Sequence, residues 1–251
     1  MATATDAPRT DMYGNDSAEL YDLLHSARGK DFEGEAAAVA ALVGDRKPDA
    51  ASLLDIACGT GAHLARFAAR FPHVEGVELS EPMLDLARAR LPGVPLTLGD
   101  MRDFDLGRRF DAAVCLFGSL GYVDSADELD SALRSFARHL NPGGVLVVEP
   151  WWAPDTFTPG HVSADVVEAD GTRVARVSHA SFATPAGDAS LMRVHYVVAH
   201  PDHGIRHFAE DHVCRLFDSA RYEAAFTAAG LAFERVESPV SARGFLVGVR
   251  K

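Results

Sequence analysis

Long apolar runs are missing from these 251 residues, and no stretch reaches the roughly 20 residues that a membrane-spanning helix needs. The first twenty residues, MATATDAPRTDMYGNDSAEL, carry early acids and no apolar segment, so no signal peptide and no membrane partner are expected. Cysteine is scarce. Cys58, Cys115 and Cys214 are odd in number, far apart and without a C-x-x-C pair, which excludes a disulfide framework and points to reduced thiols in the cytoplasm. Positive charge is short as well. The chain has 24 Lys and Arg against 36 Asp and Glu, a net charge of −12, and a phosphate-backbone surface needs the opposite balance, so no nucleic-acid partner is expected. Internal repeats and low-complexity tracts are absent.

What is present begins with helical spacing over 17–24 and 32–43, broken at Gly29; this predicts a helical cap over residues 1–47. After Pro48, strand-like and helix-like segments alternate. SLLDIAC, VEGVEL, VPLTLGD, FDAAVCLFG and VLVVEP read as strands, and AHLARFAARF, PMLDLARARL and ELDSALRSFARHL as helices. Ser80 is placed as an N-cap with Pro82 in the first turn, and Asn141-Pro142-Gly143-Gly144 as a stop. Continuously apolar strands joined by helices predict an α/β, doubly wound parallel sheet covered on both faces. The alternation stops at Trp151. HVSADVVEA, TRVARVSHASF, SLMRVHYVVAH and GIRHFAEDHVCRLF read as strands, which predicts an antiparallel sheet inserted over 151–216. The helix SARYEAAFTAAG and the strand pair LAFERVES and GFLVGVRK return the chain to the first domain, giving it 48–150 plus 217–251.

The turn in SLLDIACGTGAHL invites a bound ligand. Gly59 and Gly61 fit the first two positions of the dinucleotide fingerprint, but Leu64 stands where its third glycine belongs, and no phosphate-loop lysine follows. The acids point elsewhere. Asp55 before the turn favours an ammonium over a phosphate. Glu78 at the second strand's end suits ribose hydroxyls. Asp100 after the third can accept from an adenine amine. An amino-acid end, a ribose and an adenine without phosphate make S-adenosylmethionine. The order of these motifs resembles the class I methyltransferases, with Ala57 where that family's first glycine stands. The alternative is three ordinary helix-cap carboxylates. The resemblance adds Leu79, Met101 and Leu116 to the cofactor's contacts.

Other segments resemble one subfamily over nearly the whole chain: Tyr13, ELYDLLHSARGKDF, GDMRDFDLGRRFDA, VVEPWWAP, ARVSHAS and ARGFLVGV. It is identified as similar to the N,N-dimethyltransferases of dTDP-linked amino-deoxysugars in natural-product biosynthesis, of the desosamine, mycaminose and forosamine type. That resemblance implies a dTDP-amino-deoxysugar as substrate and a homodimer. A diphosphate wants guanidinium forks, and Arg176 and Arg243 lie outside the cofactor core. Ser178 and His179 are implied as further acceptor contacts. Trp151 and Trp152 follow the fifth strand, where ligands of open α/β sheets bind; Trp152 is placed on the ligand, and Trp151 either there or as a plug between core and inserted sheet. The resemblance puts Tyr13 and Tyr122 beside the amine, orienting it in a transfer that positioning largely drives. Tyr21 and Lys30 would reach the cofactor's methionine end. Seven of the eleven histidines fall between His161 and His212, yet no Cys or Glu pair completes a set, and amine methylation needs no metal. Two rival readings are a methyltransferase of small amines or hydroxyls and a non-catalytic cofactor-binding protein.

Overall fold

A computed structural model describes residues 14–169 and 171–251, leaving aside the side chains of Asn15 and Ala169. Two helices open the described chain, α1 (Asn15–Ala27) and α2 (Phe32–Arg46), separated at the expected Gly29. Asp31 caps α2 by accepting from the Gly34 amide at 2.8 Å. Five parallel strands follow: β1 (Ser52–Ile56), β2 (His73–Glu78), β3 (Leu96–Leu98), β4 (Phe110–Cys115) and β5 (Leu140–Val148). Between them run α3 (Ala62–Phe67), α4 (Glu81–Arg90) and α5 (Ala126–Arg138). Ser80 caps α4 through the Met83 amide, as its position before Pro82 predicts. Two elements differ from expectation. Helix α3 stops at Phe67 rather than Phe71, and the chain continues in turns, the Arg70 and Phe71 amides both donating to the Phe67 carbonyl, up to Pro72. Strand β5 starts at Leu140, so the Asn-Pro-Gly-Gly stretch lies inside it, with a register shift opposite Phe110–Ala112.

The chain closes with α6 (Ser219–Ala228), β10 (Leu231–Ser238) and β11 (Ser241–Arg250), and the large sheet reads β10-β11-β5-β4-β1-β2-β3. Strand β11 is antiparallel to both neighbours. Alternate side chains of β1 bury on opposite faces. Leu54 and Ile56 join Phe136 of α5 and Phe226 of α6, whereas Leu53 joins Val39 of α2 and Phe67 of α3. Strand order turns back between β1 and β4, and there the two flanking connections diverge and leave a crevice at the strands' carboxyl ends.

Between β5 and α6 a second sheet is inserted, the meander β6 (Val162–Ala169), β7 (Thr172–Phe182), β8 (Ala189–His200) and β9 (Gly204–Arg215). Its inner face receives α1. Leu20 and Leu24 are buried with Val174, Val194 and Tyr196, each leucine contributing about 1.5–3 kcal/mol of burial. The other side of α1 is tied to the glycine turn. Thr60 Oγ1 donates to Asp22 at 2.7 Å, and Arg90 bridges the same two residues. The cap thus roofs a cleft between the two sheets. No helix among the described residues is long and apolar enough to cross a membrane.

Candidate active site

A cavity of about 370 Å³ occupies that cleft, within the range of small-ligand sites. Its floor is the carboxyl edge of the large sheet. Glu78 lines it and holds the turn by accepting from the Gly59 amide at 2.9 Å and from the Leu79 and Ser80 amides at 2.8 Å each. Burial pushes its carboxyl up, and those amide donors hold the rise back. Asp55 lies beneath, 2% exposed, and its Oδ2 is buried without a hydrogen-bond partner. Burial, with Glu78 adding to it, raises its carboxyl well above the usual range. A carboxylate in that position gains most from a cation brought beside it. The arrangement fits the ammonium of S-adenosylmethionine at Asp55 and its ribose diol at Glu78. Ala57, where glycine was expected, adopts φ 59°, a left-handed conformation that costs a residue with a Cβ about 1–2 kcal/mol.

Ala57, Gly59, Leu79, Asp100, Met101 and Tyr21 all reach the cavity. Asp100 meets a neighbour that its motif did not announce: Arg102 Nε donates to both its oxygens, at 2.9 and 3.0 Å, while Arg102 Nη1 reaches Glu128. Four expected contacts stand outside the cavity lining. Asp55 is buried beneath the turn. Gly61 faces Ala87 and Leu91 under α3. Leu116 is buried behind the wall. Lys30 gives its ammonium to both oxygens of Glu35, at 2.8 and 2.7 Å, and rests 3.8 Å from the Phe117 ring centre.

The opposite wall is the inner face of the second sheet. Arg176 and Ser178 project there from β7, with Arg176 Nη1 donating to Ser178 Oγ at 3.1 Å. Arg28, from the end of α1, shares Asp165 with Arg176, at 3.1 and 3.8 Å respectively. Arg243 comes from β11 and pairs with buried Glu149 at 2.6 Å. The other oxygen of Glu149 accepts from the Phe117 amide at 2.8 Å. His25 responds to this field. Burial first, then the charges of Lys30, Arg28 and Arg176, lower its pKa to about 3, so the imidazole stays neutral. Trp151 lines the cavity, whereas Trp152 does not. The Trp151 indole donates to Ser190 Oγ at 2.9 Å. A Cβ on Gly118 or Gly121 would meet that ring or its Cβ at 2.7 Å. Trp151 therefore both joins the two sheets and lines the cleft. His179 faces away: it pairs in register with Val162 and Arg193 on the outer, exposed face of the sheet.

At the junction of floor and wall stands Tyr122, at the end of a 3-10 turn (Ser119–Tyr122). Its phenol oxygen is 3.0 Å from His212 Nδ1. His212, on β9, is 4% exposed and lines the cavity. Arg28, Arg102 and His212 escaped the sequence reading; for His212 the signal was its place on the inward parity of β9, in step with Phe208 and Glu210. Tyr13 lies outside the described residues. Among those residues no three of His, Cys, Asp and Glu gather into a metal-holding group.

A methyltransferase-domain family model matches residues 53–144. A dTDP-3-amino-3,4,6-trideoxy-alpha-D-glucopyranose N,N-dimethyltransferase from Streptomyces venezuelae is 55% identical over 238 residues, which cover 95% of this chain and 99% of that protein. A dTDP-4-amino-2,3,4,6-tetradeoxy-D-glucose N,N-dimethyltransferase from Saccharopolyspora spinosa is 45% identical, covering 98% of this chain and 97% of that one. Among solved structures, the S-adenosylmethionine-bound amino pentose methyltransferase from Micromonospora echinaspora involved in calicheamicin biosynthesis superimposes with a TM-score of 0.84 at 45% identity, over 92% of this chain and 97% of that one.

Proposed function

The chain belongs to the dTDP-amino-sugar N,N-dimethyltransferases, a branch of the class I S-adenosylmethionine-dependent methyltransferases, and from that premise we propose that it dimethylates the 3-amino group of a dTDP-linked deoxysugar in an antibiotic pathway. What carries the reading is the acceptor wall, where Arg28, Arg176 and Arg243 face the acids across one cleft. The choice of C3 rests on the closer identity to the 3-amino enzyme, 55% against 45% for the 4-amino one.

When bound, the cofactor supplies an electrophilic methyl on a cationic sulfur. Asp55, Glu78 and Tyr21 would hold its methionine and ribose parts, with Ala57, Gly59 and Leu79 shaping the turn. Asp100 and Met101 would take the adenine. Gly61 and Leu116 support this edge from behind, and Lys30 braces Glu35. Guanidiniums of Arg176 and Arg243, helped by Ser178 and Arg28, would grip the diphosphate, which neutralises their excess charge. Trp151 would line the sugar, while Trp152 buttresses Arg243 from 5.8 Å. Tyr13 and Tyr122 would orient the amine lone pair toward the methyl, since alignment within near-attack distance supplies much of such an acceleration.

The work divides among the cap (1–47), the cofactor-binding α/β domain (48–150 with 217–251) and the inserted sheet (151–216). The last also gives the chain a second copy to dimerise with. Val166 and Ile205 on its outer face are 78% and 76% exposed, beside Val162, Val177 and Val197, and a second copy would bury that stripe. His179 would then sit at the dimer face. The three cysteines are free and buried, in keeping with a cytoplasmic enzyme.

Mass spectrometry of products from 3-amino and 4-amino dTDP-sugars tests the reading. Two methyl increments on the 3-amino compound are expected. Turnover of the 4-amino compound alone would move the site of methylation, and turnover of small free amines alone would overturn the substrate class. Light scattering should find a dimer that Val166→Glu with Ile205→Glu converts to monomer; a monomeric wild type would overturn the assembly.

A further inference from the structure

The reaction leaves a proton to be removed. A neutral amine attacks the methyl carbon, the N–C bond forms, the C–S pair goes to sulfur, and the product is an ammonium. A second methylation requires that ammonium to lose a proton first. An isolated phenol is a poor acceptor at neutral pH. Tyr122, however, is not isolated.

His212 Nδ1 lies 3.0 Å from the phenol oxygen, and His212 Nε2 lies 3.4 Å from Glu210 Oε2. That carboxylate oxygen is buried and makes no hydrogen bond, so its influence on His212 is electrostatic, acting over 3.4 Å. A negative charge on the Nε2 side favours the tautomer with hydrogen there and a lone pair on Nδ1. The Tyr122 hydroxyl then donates to Nδ1, and Tyr122 itself lines the cavity. Glu210 and His212 are two apart on β9 and share its inner face with Phe208 and Cys214.

We propose that Tyr122, His212 and Glu210 form a proton relay that empties the amine between the two methyl transfers. The ammonium N–H bond breaks toward the Tyr122 oxygen as the Tyr122 proton moves to His212 Nδ1, leaving an imidazolium beside Glu210 that returns its proton to solvent. Tyr122 touches the amine; His212 and Glu210 act through it, as positioning residues. The other charged groups around His212 are Asp211, turned to the outer face but within electrostatic reach, Arg176, whose Nη2 is 3.8 Å from the Met192 sulfur opposite His212, and Tyr196 beside Glu210. This rests on the amine-methylating reading above.

The decisive variant is His212→Asn. Its side-chain oxygen can still accept from the phenol, yet it cannot take up a proton. Expected are a fall in kcat at pH 7 of about 10²-fold, the lower end of acid–base contributions, release of monomethyl product, and a gap to wild type that closes as pH rises. Tyr122→Phe should do the same and disturbs the sheet less, so it carries the test if the first variant does not fold. Nitrogen NMR of His212 in the protein without substrate gives an independent reading. A lone pair on Nδ1 that loses its hydrogen-bond shift in Tyr122→Phe supports the relay, and a hydrogen on Nδ1 overturns it. Unchanged pH profile and unchanged mono-to-dimethyl ratio in both variants also overturn it. Wild-type turnover without any effect of the variants sinks the relay alone; no wild-type turnover of any amino sugar sinks the substrate reading and the relay with it.

Discussion

The two walls of the cleft are built by opposite rules. The floor is made from strand ends: Asp55, Glu78 and Asp100 each sit at or just beyond the carboxyl edge of a parallel strand, and backbone amides do much of the holding. The facing wall draws Arg176, Ser178 and His212 from every second position of strands β7 and β9, and is completed by Arg28 from the end of α1 and Arg243 from β11. One wall gathers negative charge and the other gathers guanidiniums, which is the division that the proposed cationic donor and anionic acceptor would require. An overall charge of −12 hides this division, because the acceptor wall is a local reversal of the molecule's balance.

The sharpest way to break the comparison is to cut one member from each wall and measure both ligands. Arg243→Ala should cost the more. It leaves Glu149 buried without its cation, so about 3–5 kcal/mol of stability should disappear in chemical denaturation, and dTDP binding should fall by calorimetry while the cofactor still binds. Glu78→Ala should do the reverse, weakening the cofactor by about 2–3 kcal/mol and leaving dTDP nearly unchanged. Equal losses of both ligands in either variant would mean that the walls do not divide the work.

A smaller effect sharpens the acidic side. Burial raises the folded-state pKa of Asp55, so its proton stabilises the free protein below the ordinary carboxylate value of about 4, and that stabilisation is lost as pH rises through the raised value. A cation placed beside it ionises it. Cofactor binding should therefore release a proton, and affinity should rise with pH across that window by at most about tenfold per unit. Calorimetry in buffers of different ionisation enthalpy reads the proton directly. Asp55→Asn should abolish its release, and a wild type that releases none would sever Asp55 from the ammonium.

The same contrast explains what could be read in advance. The floor is local in sequence: strand, acid and turn lie within a few residues, so the sequence places Gly59, Glu78 and Asp100 at the strand ends where the cavity has them, with Asp55 buried just beneath. Ala57 broke the pattern by type and kept it by conformation, adopting the left-handed backbone anyway. The wall is not local. Whether a β7 residue faces the cleft depends on parity, and Arg176 and Ser178 share one face while His179 necessarily takes the other. Lys30 misled for a different reason, since its partner Glu35 lies on the next helix and became visible only when α2 was placed. The partners Arg28–Asp165 and Tyr122–His212 span 137 and 90 residues, distances over which single-chain spacing carries no signal.

Gly118 and Gly121 carry a consequence for the size of sugar admitted. The Trp151 side chain rests where any larger residue at either place would grow, its ring 2.7 Å from a Cβ on Gly118 and its own Cβ 2.7 Å from one on Gly121. A methyl at either place requires the Trp151 side chain to shift. Two glycines packed on Trp151 thus help set the depth of the chamber, and a side chain added at either should alter which acceptor sugars are turned over.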